Sequence, residues 1–262
     1  MLVFFYFIFL QIIAESFPIS SSGHIMLALE ILRDYDYHLY SYIFSLLQRS
    51  DVMFALHGPT AIIIMLFYAP RWKPFFHKFK KNIKLFFKII GYVSAANGMT
   101  IVCYLIIKNL SLALPLWVGF TITFFLLITS SRDDSSNSSL QLHHFLLLGL
   151  VQGIAVLPGI SRLAAVYAAG RIMNLASKKA FDVAWMLQFP LILGAACFGW
   201  GTLIYQHENV MLSQSTLIAV SVGSIIAFFG FYSMNLLVKH NNMWFMAWYI
   251  LIPLLLSLWY TT

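Results

Sequence analysis

Charge is scarce in this 262-residue chain: Asp, Glu, Lys and Arg together make up 10% of it, against roughly 25% in a soluble globular domain. Hydrophobic side chains fill 61%, which excludes an ordinary cytosolic protein. Cysteine is scarcer still. Cys103 and Cys197 sit in apolar stretches without metal-ligand spacing, so a disulfide scaffold and a thiolate metal centre are both excluded. Acid is in deficit, with nine residues against sixteen basic ones and a net charge of +7. In a soluble chain that balance would point to nucleic acid. Here Arg71, Lys73, Lys78, Lys80, Lys81, Lys84 and Lys88 lie in one run without an acid and carry the whole excess, so no nucleic-acid partner is implied. Basic residues in short loops beside membrane spans stay cytoplasmic and meet anionic headgroups. This places residues 71–88 in the cytoplasm and makes membrane lipids the chain's surroundings.

What is present is apolar sequence long enough to cross a bilayer. A helical span needs about 20 apolar residues, and uncharged runs of that kind fall near 52–69, 89–107, 109–131, 183–204, 216–238 and 243–260. The sequence predicts an all-α, polytopic membrane helical bundle forming a single integral membrane domain over residues 1–262. No basic residue precedes the apolar opening and Ser20–His24 is a poor cleavage context, so the N-terminal segment is read as part of the fold and not as a signal peptide.

Two more apolar segments are interrupted. Residues 1–32 contain Glu15, Pro18 and the Ser20–His24 cluster, and residues 143–172 contain Pro158, Gly159, Ser161 and Arg162. Each reads as a helix broken partway through the membrane. The polar stretch Ser130–Ser139 cannot bury an apolar face and reads as a solvated loop, dividing the chain into halves at about 1–130 and 140–262. Gln11–Ser20 can be laid beside Gln152–Ser161 with one gap before the proline, and each lies near the start of its half. This is the pattern of an internal repeat whose discontinuous helices meet near the membrane midplane. Irregular backbone survives in lipid only where protein or a water-filled cavity satisfies it, so both breaks are expected to face one polar site.

The residue types at the breaks suit an anion. Ser20, Ser21, Ser22 and Gly23 precede the apolar run Ile25–Leu32, which can begin a new helix, and helix starts hold anions with unpaired N–H groups. Pro158-Gly159 permits the second turn, and Ser161 is an expected N-cap before Leu163–Met173. Arg162 supplies a fork matched to phosphate oxygens. Gln11 and Glu15 are spaced i, i+4 and share a helix face, where they can hold a divalent cation or a water; Glu15 can instead orient another group. His24 can serve as base, acid or nucleophile, and Ser21 is the competing nucleophile. Each has an ordinary structural reading as turn, cap, core histidine or snorkelling arginine, but the four together amid apolar helices argue for a site. His57, ahead of Gly58-Pro59, reads either as a pocket residue or as the lining of a kink. The adjacent pair His143-His144 does not share a helix face, so no metal is assigned there.

The run Gln11-x3-Glu15-x2-Pro18-x-Ser20-Ser21-Ser22-Gly23-His24, followed by Pro158-Gly159-Ile160-Ser161-Arg162, resembles the undecaprenyl-diphosphate phosphatases, the bacitracin-resistance family of bacterial inner membranes. The resemblance covers the whole chain. It implies hydrolysis of a C55 polyprenyl diphosphate to the monophosphate, recycling the lipid carrier for peptidoglycan and other envelope polymers. It also implies a bundle of inverted repeats with two re-entrant helix pairs, an active site open to the periplasm and a divalent cation (Mg or Ca); separately, a homodimer is compatible with the sequence. By motif, Glu15, Ser21, His24 and Arg162 take the catalytic positions. Gln11 and Glu15 take the metal side, and Gln11, Ser20, Ser22, Gly23, Gly159 and Ser161 line the substrate. The chain is a divergent member: Leu163-Ala164-Ala165-Val166 stands where Ser-Gly-x-Thr is usual, Ile12 replaces a glycine, Ser16 replaces a bulky residue, and Leu56-His57-Gly58 stands where Gln-Leu-Gly is usual. The alternative reading is a flippase for the polyprenyl phosphate without hydrolysis. Membrane phosphatidic-acid-type phosphatases share a Ser-Gly-His and a Ser-Arg, but the histidine six residues after the arginine is here Ala168 and no Arg-Pro dipeptide is present.

Overall fold

The computed structural model describes residues 2–81, 83–112, 114–131, 140–206 and 213–261, and the regular structure in them is helical. Side chains at 2–3, 71–81 and 261 lie outside that description. Most side chains of the basic run, and the whole polar stretch from 132 to 139, therefore fall outside that description. In chain order the helices are α1 (Leu2–Glu15), α2 (Ser21–Tyr35), α3 (Tyr37–Leu47), α4 (Ser50–Ala55), α5 (His57–Lys81), α6 (Ile83–Asn109), α7 (Leu116–Thr129), α8 (Leu142–Ile154), α9 (Arg162–Ile172), α10 (Ser177–Tyr205) and α11 (Gln214–Lys239). A 3₁₀ turn (Met243–Phe245) then leads into α12 (Met246–Thr261).

Five stretches are long and apolar enough to cross a membrane: Ser50–Pro70, Ile83–Asn109, Ser177–Tyr205, Gln214–Lys239 and Met243–Tyr260. They coincide with five of the six expected spans, and the protein is a multi-pass membrane protein. The sixth, near 109–131, is corrected. Its first third leaves the helix at Ser111, whose φ of 47° no helix accommodates, and α7 starts only after Pro115. The remaining 14 residues reach about 21 Å at 1.5 Å per residue, short of a roughly 30 Å hydrocarbon core.

Both expected breaks are present. α1 tightens at its end through Ser16 N–H to the Ile13 carbonyl and Phe17 N–H to the Ala14 carbonyl, and Pro18 has no N–H with which to continue. The chain turns at Ser20, in the left-handed region at φ 67°, and α2 begins at Ser21, four residues before the Ile25 start read from hydrophobicity. The reason is local: the Ser20 hydroxyl caps the Gly23 N–H at 3.2 Å, so the serines become the first helical turn. The second break turns at Gly159, at φ 81°, and Ser161 caps α9 by accepting from the Ala164 N–H.

The packing is reciprocal between the two halves. α1 of the first half lies on α11 of the second, and α8 of the second lies on α6 of the first; α2 meets α12 as α9 meets α7, and α7 meets α12. The breaks touch each other directly. A Cβ on Gly23 would stand 2.9 Å from the Gly159 Cα, and one on Gly119 of α7 would stand 2.0 Å from the Pro158 carbonyl oxygen, so only glycine permits this approach. Away from the breaks, Arg171 is buried and donates to the Ser130 carbonyl, the Leu175 carbonyl and the Asn241 side-chain oxygen at 3.3, 2.7 and 3.1 Å. It ties together the ends of α7, α9 and α11, satisfying carbonyls that a helix end leaves unpaired.

Candidate active site

The meeting of the breaks leaves a cavity of about 340 Å³, reached by Gln11 and Glu15 of α1, Ser20, Ser21 and Ser22, His57 of α5, Ser161 and Arg162, and Gln188 of α10. Because α1 stays helical through Glu15, its i, i+4 spacing does put Gln11 and Glu15 on this one wall. Two helix starts, those of α2 and α9, face the same space. Their early N–H groups and positive dipole ends suit an anion.

Arg162 is the first residue of α9 and its guanidinium has no hydrogen-bond or ion-pair partner among the described residues, although it feels the Glu15 carboxylate electrostatically. A cation held inside a membrane protein without a fixed partner is costly unless a ligand completes it. Glu15, by contrast, is engaged. Its Oε2 accepts from the Thr60 hydroxyl at 2.9 Å, and its Oε1 lies 2.5 Å from His57 Nδ1, an ion-pair approach when the imidazole carries both protons. Both partners come from the first turn of α5. Neither was assigned by the motif; the signal for His57 was a histidine inside an apolar span, and Thr60 gave none.

Ser21 and Ser22 line the cavity, and Ser22 is exposed. His24 is in the same helical turn but is not among the residues that line the cavity. Its ring lies against Tyr249 of α12, stacked at 5.7 Å between centroids, and edge-on to Phe120. Nδ1 is 2.8 Å from the Ser20 carbonyl and Nε2 is 3.0 Å from the Tyr249 hydroxyl. A carbonyl only accepts, so in the neutral ring Nδ1 carries the proton and Nε2 accepts from Tyr249. Both nitrogens are thus committed, one of them to holding the left-handed turn at Ser20.

Gly23 and Gly159 form the backbone contact between the breaks rather than facing the cavity. The second break is fixed by a residue the sequence did not single out: Thr123 of α7 accepts from the Ser161 N–H at 2.9 Å and donates to the Gly159 carbonyl at 2.8 Å. The residues of the second motif that depart from the family, Leu163, Ala164, Ala165 and Val166, are all buried, and only Leu163 reaches the cavity.

The donor set admits a hard cation. Gln11 Oε1 is buried on the cavity side with no donor among the described residues, and the Glu15 carboxylate keeps lone pairs beyond those used by α5. Oxygen ligands of this kind suit Mg²⁺ or Ca²⁺. Among the described residues no group of three or more His, Cys, Asp or Glu converges, so water and phosphate oxygens would complete such a shell.

The sequence model of a family described as Bacitracin resistance protein BacA matches residues 7–255. Among curated proteins, an undecaprenyl-diphosphatase of Treponema denticola is 29% identical over 257 residues, covering 95% of this chain and 92% of that protein. One of Borrelia hermsii is 27% identical, covering 93% and 92%, and one of Borrelia recurrentis is 24% identical, covering 88% and 86%.

Proposed function

The chain belongs to the bacitracin resistance protein BacA family, and from that premise we infer that it hydrolyses undecaprenyl diphosphate to undecaprenyl phosphate and inorganic phosphate, the activity named for its relatives. Such an enzyme returns a lipid carrier to envelope synthesis. The observation that carries the reading is the Arg162 guanidinium, without a hydrogen-bond or ion-pair partner among the described residues and set between two helix starts in a cavity that also holds Ser21 and Glu15.

In this reading the diphosphate is bound by Arg162 and the N–H groups of α2 and α9, which face charge developing on the terminal phosphoryl group. Ser21 is the nucleophile, supported by its place on the cavity wall. Its Oγ bonds to the terminal phosphorus as the bridging P–O bond breaks, the hydroxyl proton passes to the bridging oxygen that departs with the lipid monophosphate, and water then cleaves the phosphoserine to inorganic phosphate and the free hydroxyl. His24 positions the Ser20 turn beneath that hydroxyl. Gln11 Oε1 and Glu15 would hold a divalent cation, which would supply Lewis-acid stabilisation of phosphate charge.

The cavity opens toward the periplasm of the bacterial inner membrane. In support, α5 and α6 join at the basic run, and the α6 residues lining the cavity, Thr100, Ile101 and Tyr104, lie toward its opposite end. The halves are inverted repeats, a reading that their reciprocal packing supports. The test is phosphate release from a C55 polyprenyl diphosphate by the purified protein in detergent, with and without chelator; no release under any condition rejects the reading. Thiol labelling of Ser22→Cys and Lys80→Cys from outside intact cells tests orientation, with only the former expected to react.

A further inference from the structure

α10 is apolar through the middle of its span apart from one side chain. Between Asp182 and Thr202 its one Asn, Gln, Ser, Thr or charged residue is Gln188. A carboxamide on a membrane helix ordinarily bonds across to a neighbouring helix. Gln188 does not: it is 5% exposed, makes no hydrogen bond among the described residues, and lines the cavity between the two breaks. Its N–H donors and its acceptor oxygen are unspent inside the protein, where an unpaired amide is costly. Nothing in the fold offsets that cost, whereas a ligand in the cavity would.

The surroundings select the donor end of the amide. Arg162 and the starts of α2 and α9 make the space an anion site, and α10 packs on α9. Directly after Arg162, Leu163 stands on the cavity wall where the family usually has serine, so α9 presents hydrocarbon in place of a hydroxyl donor. Gln188 returns neutral donors to that lining from the adjacent helix. Spacing then bears on which phosphate it meets. Gln188 and Leu191 share a face of α10 at i, i+3, and both line the cavity, Leu191 as part of its apolar lining with Met53, Phe54 and Ile101. Ser21, the nucleophile, stands instead with Ser20 and Ser22 at the start of α2.

We propose that Gln188 is a substrate-binding residue of this chain: its carboxamide N–H groups donate to the phosphate that stays on the lipid, setting affinity for the diphosphate substrate and the monophosphate product alike. The proposal rests on the lipid-diphosphatase reading above for the identity of the ligand. Its ground is a buried carboxamide with no hydrogen-bond partner among the described residues, on the wall of an anion cavity and one helical turn from its apolar lining. That phosphate is common to substrate and product. A bond to it contributes equally to the ground state and the transition state, which moves KM and not kcat.

Gln188→Leu, close in volume, removes the amide alone. With one unpaired polar group fewer, the ligand-free variant should melt in detergent at or above the wild-type temperature. In steady-state phosphate release from a C55 polyprenyl diphosphate, KM should rise about tenfold or more, the scale of one hydrogen bond to a charged group, while kcat stays within about twofold. Inhibition by added polyprenyl monophosphate should weaken by the same factor as KM, whereas inhibition by inorganic phosphate, which occupies the terminal position, should not change. Gln188→Glu keeps an acceptor and replaces the donors with negative charge, so it should weaken substrate and product binding further. A fall in kcat at unchanged KM, or weakened inhibition by inorganic phosphate alone, overturns the proposal. So does tighter binding in Gln188→Glu, which would assign the oxygen to a cation, and so does a lower melting temperature in ligand-free Gln188→Leu, which would make the amide structural.

A binding arm needs no hydrolysis. Polyprenyl monophosphate added to the wild type in detergent should raise its melting temperature, and the rise in Gln188→Leu at the same concentration should be smaller. Equal rises overturn the role of Gln188. A wild type that is stabilised by the monophosphate but releases no phosphate from the diphosphate overturns the phosphatase reading and leaves this comparison standing; one that does neither overturns both.

Discussion

Glu15 at the end of α1 is held from both sides by the first turn of α5, with His57 Nδ1 at 2.5 Å from one oxygen and the Thr60 hydroxyl at 2.9 Å from the other. The carboxylate is buried, with its side chain 2% exposed, so its orientation is not free to follow solvent. Its position relative to Arg162 is fixed by a helix that contributes no residue to either sequence motif.

His57→Ala should therefore lower stability by about 3 kcal/mol, the usual scale for removing one partner of a buried pair, and reduce kcat as Glu15 reorients. In the double variant with Glu15→Gln the neutral amide needs no counter-charge, so stability should largely return while activity does not. Thermal unfolding in detergent alongside phosphate release checks both; additive stability losses would contradict the pairing.

Arg162→Lys keeps the charge and loses the planar fork, and should reduce kcat/KM by about 10²-fold. Arg162→Ala should reduce it further without changing the melting temperature by more than a few degrees, since the guanidinium has no hydrogen-bond or ion-pair partner among the described residues to lose. The measurement is steady-state phosphate release paired with a melting curve.

Acid quench of the enzyme during turnover with a diphosphate labelled at its terminal phosphorus should trap phosphoserine at Ser21, stable in acid and labile in base. An acid-labile phosphohistidine at His24 would contradict the committed state of both its ring nitrogens. Tyr249→Phe, which removes only the Nε2 partner, should leave the phosphoserine intact.

Arg171→Met should lower stability by about 3 kcal/mol, because the carbonyls of Ser130 and Leu175 lose a buried donor, yet leave KM nearly unchanged because Arg171 does not line the cavity. Unfolding and kinetics measured on one preparation separate the two effects.

The breaks were legible because lipid-embedded sequence has little reason to contain Pro18, a run of serines, or Pro158-Gly159 unless the backbone departs from a helix there. Glu15 and Arg162 were legible for the same reason, as charges where charge is expensive. What could not be read was direction. The commitment of His24 to Tyr249 spans 225 positions, and no local pattern marks it. Thr60 and Thr123 look like any polar residue in an apolar helix until a distant carboxylate or turn is placed beside them. The shortened α7 escaped notice because hydropathy sees through Pro115, whereas backbone geometry does not.

The contact of Gly23 with Gly159 is main chain against main chain, with no side chain between them to slide. A carrier that rocks one half against the other needs a seam that can part and close again with each cycle. Here the seam is a weld of two main chains, and prying it open would dismantle the very anion pocket that a travelling headgroup would have to occupy. The architecture favours a stationary anvil on which a bond is struck, with the lipid moving past it in the bilayer.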